Sequence, residues 1–532
     1  MKEFTLNDIQ SNRKYVADSD VHVYLKDCIH LDSSLYTCCG ENHRRDNQIN
    51  IALLVKDKEN VTIDFQGHTL FLHGKVQPFI FDNCKNIRIK NVTVEYDRSF
   101  CTEIEVLEST STRLRGRLPQ KFPCKVDDGK LVPYGEYWEN HDLNRAPVFL
   151  QSFDKDTRRG DGLSLVVFGN HLDMDEKIPW ITITRRLIAK FEGEDIVFEG
   201  EDIPVLKVGN IAVIGHEDRR YSNLYAVNCK NLYIENYRII NGAGMGILPF
   251  HTENIYIDGL KMTCDERSHG VHTNEADGIH AVACSGDFVL KNSIIEGVID
   301  DALNIHGNFC SFQRAEGNKL YAECKGSVCK DYTLFGNGDK IRVYHGSTLE
   351  VCGEYTIESF RRVSVTEWEF TLDKPVGTHA EGDVIENLSA QPKVLIENCV
   401  FGKANTHLRF QSRGGITIKN CVTELPFLLT GDMNYWYESS PVEKMNIENV
   451  QFVGNRANVI CCPEFTPTEQ KPFYHGSLII KNCSFDVETA ITARNTRYIE
   501  FINNTNTSGK DMKISLSACG EIQADGVEIE RG

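Results

Sequence analysis

The sequence predicts an all-β chain wound as a right-handed parallel β-helix, a solenoid, with two small inserted β-barrel domains. Three observations predict it: a degenerate strand motif ending near Asn or Gly, a near-constant step between its copies, and two stretches where it disappears.

The motif begins with CKNIRIKNVTVEY (84–96), so residues 1–96 are read as the N-terminal part and first rungs. It returns as CKNLYIENYRIIN (229–241), TENIYIDGLKMTC (252–264) and GDFVLKNSIIEG (286–297), within rungs assigned to 206–307. It resumes as PKVLIENCVFG, GGITIKNCVTE, EKMNIENVQFVG, GSLIIKNCSFD and TRYIEFINNTNT, the C-terminal rungs of 392–532. Apolar and polar residues alternate before each Asn, so one strand face points to a core and the other to solvent. From Asn236 to Gly259 is 23 residues, and from Asn398 to Asn420 is 22. Strands recurring at that step without helical periodicity fit a coil whose turns stack about 4.8 Å apart. An Asn at each corner can hydrogen-bond along such a stack. The Cys after it, as in Cys399, Cys421 and Cys483, then fills the narrow interior. An ordinary β-sandwich does not repeat I-x-N at this spacing.

Residues 97–205 and 308–391 lack the motif. The first carries hairpin-like segments such as RLRGRL, and the second reads GDKIRVY…EYTIESF…EWEFTLDKPV…GDVIENL, an antiparallel barrel pattern. Both are taken as insertions in rung-to-rung loops, where they wall a groove.

Composition narrows the function. The formal net charge is -18, from 76 acidic and 58 basic side chains, and no Lys/Arg run supplies a nucleic-acid footprint. No apolar stretch approaches the ~18 residues of a membrane span, and MKEFTLNDIQSNRKYV lacks a signal-like apolar region. Nineteen cysteines are then read as reduced thiols and the expected compartment is the cytoplasm.

The densest polar signal lies between the insertions. Asp277 in EADGIH precedes Asp300 and Asp301 in DDALNIHG by about one rung, which stacks the three on one surface. Carboxylates that close cannot all ionise readily, and a raised-pKa acid beside an ionised carboxylate is what glycosidic cleavage needs. Asn304, His306 and His280 accompany the acids. Glu275 flanks them, while Arg409, Arg413 and Trp436 lie on later rungs as candidate sugar contacts. The run HGVHTNEADGIH brings His269, His272, Asp277 and His280 together without an established zinc spacing, so no metal or cofactor is assigned.

The pairing of EADGIH with DDALNIHG at one-rung spacing resembles glycoside hydrolase family 110, bacterial exo-acting α-1,3-galactosidases of the blood-group-B-cleaving type. The resemblance implies a β-helix interrupted by two small barrels and a metal-independent, inverting mechanism on three aspartates, here Asp277, Asp300 and Asp301. By analogy with polygalacturonases it implies Asp300 as general acid, with Asp277 and Asp301 holding the attacking water. The expected partner is a glycan ending in α-galactose, branched or linear, with neither nucleic acid nor membrane; the oligomeric state is open. The competing readings are another β-helix polysaccharide hydrolase or lyase, and a non-catalytic glycan-binding β-helix.

Overall fold

A computed structural model describes residues 9–32, 36, 48–141, 148–168, 186–216, 221–264, 270–325, 334–364, 366–433 and 436–532. Among them there is no α-helix, and no helix long and apolar enough to cross a membrane.

The chain is a parallel β-helix. One long sheet stacks the motif strands in parallel register: Glu59–Asp64, Lys85–Tyr96, Lys230–Ile239, Glu253–Asp258, Ser285–Lys291, Lys393–Glu397 and onward to Glu521–Ala524. A second stack runs through Gln77–Asp82, Leu224–Val227, Ile247–Phe250, Ile279–Val282, Leu303–Glu316, Leu408–Gln411 and Phe427–Leu429. The insertions leave the stack unbroken. Lys85 pairs directly with Lys230 across the first, and Lys291 with Glu397 across the second.

The corner Asn residues have a backbone reason as well as a hydrogen-bonding one. Asn91, Asn236, Asn292, Asn398, Asn420, Asn449, Asn482 and Asn503 all sit at φ between 48° and 57°. Among residues with a side chain, Asn enters this left-handed region most readily because its amide bonds locally. The same amides form a ladder, with Asn236 Nδ2 donating to Asn91 Oδ1 at 3.0 Å and Asn449 Nδ2 to Asn420 Oδ1 at 3.2 Å. The following thiols are interior: Cys399, Cys421 and Cys483 are buried, and no described cysteine is in a disulfide. Phenylalanines pack inside as well: Phe452 stacks on Phe485 one turn away with ring centroids 4.5 Å apart, and Phe427 meets Phe452 edge-on from the other stack at 5.0 Å.

The first insertion is a closed seven-stranded barrel of Cys101–Ser109, Arg113–Arg117, Val148–Phe153, Gly160–Phe168, Arg186–Glu192, Asp195–Gly200 and Ile211–Gly215. It therefore runs past residue 205, because Ile211–Gly215 pairs with both Cys101–Ser109 and Val148–Phe153. The second closes six antiparallel strands. Leu303–Glu316 leaves the helix stack and continues as a barrel strand, joined to Lys319–Glu323, Glu367–Leu372, Glu350–Arg362, Lys340–His345 and Val384–Asn387.

Asn420→Ala should destabilise the chain by about 1–2 kcal/mol, since Ala bears the left-handed strain without the ladder bond. Asn420→Gly relieves the strain and should recover most of that loss. Urea denaturation of both variants checks the order, and equal losses would show that the side-chain ladder, not the backbone, sets the corner.

Candidate active site

The site forms where the second stack begins each turn, between the two barrels. Ile279 pairs with Leu303 and His280 with Asn304, and Asn304 in turn pairs with Arg409. The same register carries back through the turn, where Gly278 N–H donates to the Asp301 carbonyl at 2.9 Å and Gly246 N–H to the Asp277 carbonyl at 2.8 Å. Asp277 thus lies opposite Asp301, and Asp300 stands one position before it. Gly278 is needed for this approach, since a Cβ there would lie 2.6 Å from the Ala302 carbonyl oxygen.

The acids differ in surroundings. Asp277 and Asp301 are buried at 3% and 4% exposure, whereas Asp300 is partly exposed, its Oδ1 accepting Asp301 N–H at 3.0 Å. Burial pushes the Asp277 carboxyl up to about 6; adjacent His280 opposes the shift while Asp300 and Asp301 add to it. Burial would also raise Asp301, but Arg409, with Nε 3.2 Å from Oδ2, and His407, with Nδ1 3.6 Å from Oδ1, hold it below the ordinary carboxylate value. Two stacked carboxyls therefore differ in proton affinity, one poised near neutrality and one ionised.

A fourth acid completes the cluster. Glu438 lies on the short strand Glu438–Ser439, which runs antiparallel to Gly307–Asn308. It accepts Asn304 Nδ2 at 3.1 Å and lies 3.5 Å from Arg409. Burial opposes its ionisation, yet His306, Arg409 and His280 keep it below the usual range.

The histidines form a directed chain. His306 Nδ1 donates to the Gly307 carbonyl at 2.7 Å, which leaves Nε2 as an acceptor for His280 Nε2 at 2.8 Å. His280 Nδ1 then lies 2.9 Å from Asp277 Oδ2. Burial lowers His306 to about 4 and keeps it neutral. His280, His306 and Glu438 also present donor atoms within 4.8 Å of one another. A tetrahedral cation would hold its ligands about 3.3 Å apart, so it would have to break the hydrogen bond that joins the two imidazoles.

The loop carrying Asp277 is clamped from both sides. Asn274 Nδ2 donates to the Gly244 and Asp277 carbonyls at 2.6 and 2.8 Å. Glu103, from the first barrel, accepts Val271 N–H at 2.8 Å and His272 Nδ1 at 2.5 Å, while His272 Nε2 meets Ser99 Oγ at 2.5 Å. His272 therefore faces the barrel rather than Asp277; His269 lies outside the described residues.

Of the residues singled out in the sequence, Asp277, Asp300, Asp301, Asn304, His306 and Arg409 come together. Glu275 is buried two residues ahead of Asp277. Trp436 is partly buried, bonded through its backbone N–H to Asp432 and two residues ahead of Glu438. Arg413 has different partners: its guanidinium pairs with Glu386 at 2.9 Å, with Glu443 and with the Tyr344 hydroxyl at 2.8 Å. It pins the last strand of the second barrel to the coil, a structural duty in place of the expected sugar contact. Glu438 and His407 escaped the sequence reading. Glu438 comes from a segment without the rung motif and reaches the site through a two-residue strand, which leaves no local signal beyond the aromatic run around it.

A β-helix bearing carboxyls of split proton affinity between two barrels has the make-up of a glycoside hydrolase. No protein-family model matches the chain. Among curated proteins, alpha-1,3-galactosidase B of Bacteroides thetaiotaomicron is 27% identical over 480 residues, 86% of this chain and 75% of that protein. Alpha-1,3-galactosidase A of Bacteroides fragilis is 23% identical over 505 residues, covering 90% and 80% of the two chains. Alpha-1,3-galactosidase A of Shewanella woodyi is 25% identical over 470 residues, 85% and 74% of each. Over most of its length the chain is thus similar to α-1,3-galactosidases, which supports the resemblance to glycoside hydrolase family 110.

A raised Asp277 has a signed consequence for stability. Between about pH 4 and 6 the folded chain binds a proton that the unfolded chain has released, so stability falls as pH rises through this window. Asp277→Asn removes the ionisation. Its advantage over the parent chain should grow from near zero at pH 4 toward about 3 kcal/mol above pH 7. Chemical denaturation across this range tests it, and a pH-independent difference would mean that Asp277 ionises at little cost.

Proposed function

We propose that this chain hydrolyses terminal α-1,3-linked galactosides by single displacement, with inversion at the anomeric carbon. The observation that carries the reading is the stacking of Asp277 on Asp301 beside a more exposed Asp300, in a chain whose relatives over most of its length are named α-1,3-galactosidases. Asp300, the acid nearest solvent, donates a proton to the glycosidic oxygen as the C1–O bond breaks. A water held by Asp277 and Asp301 attacks C1 from the opposite face. Its proton passes to Asp277, whose affinity near 6 suits a base working close to neutrality and whose partner His280 can share the charge. Asp301, kept ionised by Arg409, orients the water and stabilises the oxocarbenium-like transition state. The products are β-galactose and the aglycone alcohol.

Around the sugar, Asn304 and Arg409 offer donors, Glu438 an acceptor for galactose hydroxyls, and Trp436 a surface for the apolar face of the ring. A B-type trisaccharide and a linear α-1,3-digalactoside are both candidate substrates.

Proton NMR from the first minutes of hydrolysis tests the reading. Early β-galactose, with a loss of at least about 10³-fold in kcat in Asp300→Asn, is expected. Early α-galactose would sink the inverting mechanism, and no galactose from either substrate would remove the proposed specificity.

A further inference from the structure

The second barrel carries a cluster of a different chemistry from that of the aspartates. Strand Lys340–His345 ends in His345, the neighbouring strand Glu350–Arg362 carries Cys352, and the loop entering Val384–Asn387 supplies His379 and Asp383. One atom each from His345, Cys352 and Asp383 lie within 4.8 Å of one another. Asp383 is 3% exposed, and both of its oxygens face imidazoles: Oδ1 lies 3.2 Å from His345 Nδ1, and Oδ2 lies 3.6 Å from His379 Nδ1.

His379 is the telling residue. Its side chain is wholly buried, and its Nδ1 makes no hydrogen bond. Its Nε2 meets the Tyr355 hydroxyl at 3.3 Å, and that oxygen also accepts Gly377 N–H at 3.1 Å. His379 Nδ1 is thus aimed at the Asp383 carboxylate across a gap too long for a hydrogen bond, whichever ring nitrogen carries the proton. Asp383 Oδ2 already accepts Ala380 N–H at 2.9 Å, so the buried group left without a partner is His379 Nδ1, which costs stability unless a cation or a proton stands beside it. An imidazole fixed through its far nitrogen, with the near nitrogen free, is also how histidines are held as metal ligands.

We infer that His345, Cys352, Asp383 and His379 form a binding site for a zinc-type divalent cation. Two imidazole nitrogens, one thiolate and one carboxylate oxygen are a borderline-soft, four-member set suited to tetrahedral Zn²⁺. Zn–N and Zn–O lengths of about 2.0–2.2 Å and Zn–S of about 2.3 Å place ligand atoms roughly 3.3–3.7 Å apart, close to the 3.2 and 3.6 Å at which the two imidazoles stand from Asp383. Binding releases the Cys352 proton to solvent.

The site has a structural consequence at the groove. Gly346 and Ser347 follow His345, and Glu381 and Gly382 precede Asp383. These four residues line a cavity of about 590 Å³ that also includes Met433 and Tyr437, the neighbour of Glu438. Ser347 accepts Thr466 N–H through its carbonyl at 2.9 Å, tying this wall to the C-terminal rungs. A cation would fasten both loops to one point and set the wall of that cavity.

Cobalt(II) titration of the full chain, prepared metal-free under reducing conditions, tests the inference by electronic absorption. One equivalent is expected to produce a thiolate-to-cobalt charge-transfer band in the near ultraviolet and the intense visible bands of a four-coordinate ion. Zinc should displace it and raise the melting temperature. Cys352→Ser should lose the charge-transfer band, and His379→Gln should bind at least about tenfold more weakly; either variant suffices should the other fail to fold. A chain that takes up no cobalt, or a thiolate band unchanged in both variants and so arising from other cysteines, would overturn it. Cobalt uptake without a thiolate band would place the ion off Cys352 and would equally overturn it.

Discussion

Parallel register makes each side chain the neighbour of its counterpart one turn away, about 4.8 Å distant, and the rest of this molecule depends on that constraint. Inside, it stacks the ring of Phe452 on that of Phe485 and lines up the thiols after the corners. At the corners it aligns Asn amides into a ladder. At the site it forces Asp277 against Asp301, which two acids would not choose unaided. Their mutual repulsion and burial are offset unevenly. Arg409 serves Asp301, while His280 stands beside Asp277. The fold thus creates the difference in proton affinity that acid–base chemistry uses.

The insertions serve the same geometry. Each leaves the coil at a rung boundary and returns in register, so neither disturbs the stack. The first sends Glu103 to clamp the loop before Asp277. The second is continuous with the strand bearing Asn304 and His306, and Arg413 locks its last strand back onto the coil through Glu386. Rigid elements on both sides hold the acids in place, as a site working at sub-ångström tolerance requires.

Much of this was legible in the sequence because a solenoid writes its register into spacing. The I-x-N copies marked the rungs, and the separation of EADGIH from DDALNIHG marked the stacking of Asp277 on the Asp pair. Asn at the corners was expected for its ladder, but its positive φ was not, since an amide ladder and a left-handed backbone select the same residue. Spacing fails where the chain leaves the coil. Glu438 reaches the site from a loop on an isolated pair of residues, and the barrel strand Ile211–Gly215 carries no mark separating it from a rung. Arg409 and Arg413 look alike in HLRFQSRGG; only strand register tells that Arg409 follows Asn304 while Arg413 has passed the strand end.

The central claim is that Asp277 and Asp301 hold the nucleophilic water while Asp300 faces the departing oxygen. A crystal structure of Asp300→Asn with an intact α-1,3-digalactoside tests it most directly. The account predicts the terminal galactose against Arg409, Asn304 and Glu438, and a water between Asp277 and Asp301 on the β-face of C1. The amide introduced at position 300 should lie within hydrogen-bond distance of the glycosidic oxygen. A galactoside whose C1 faces position 300 with no room for water at Asp277 and Asp301, or one seated away from all three positions, would contradict it.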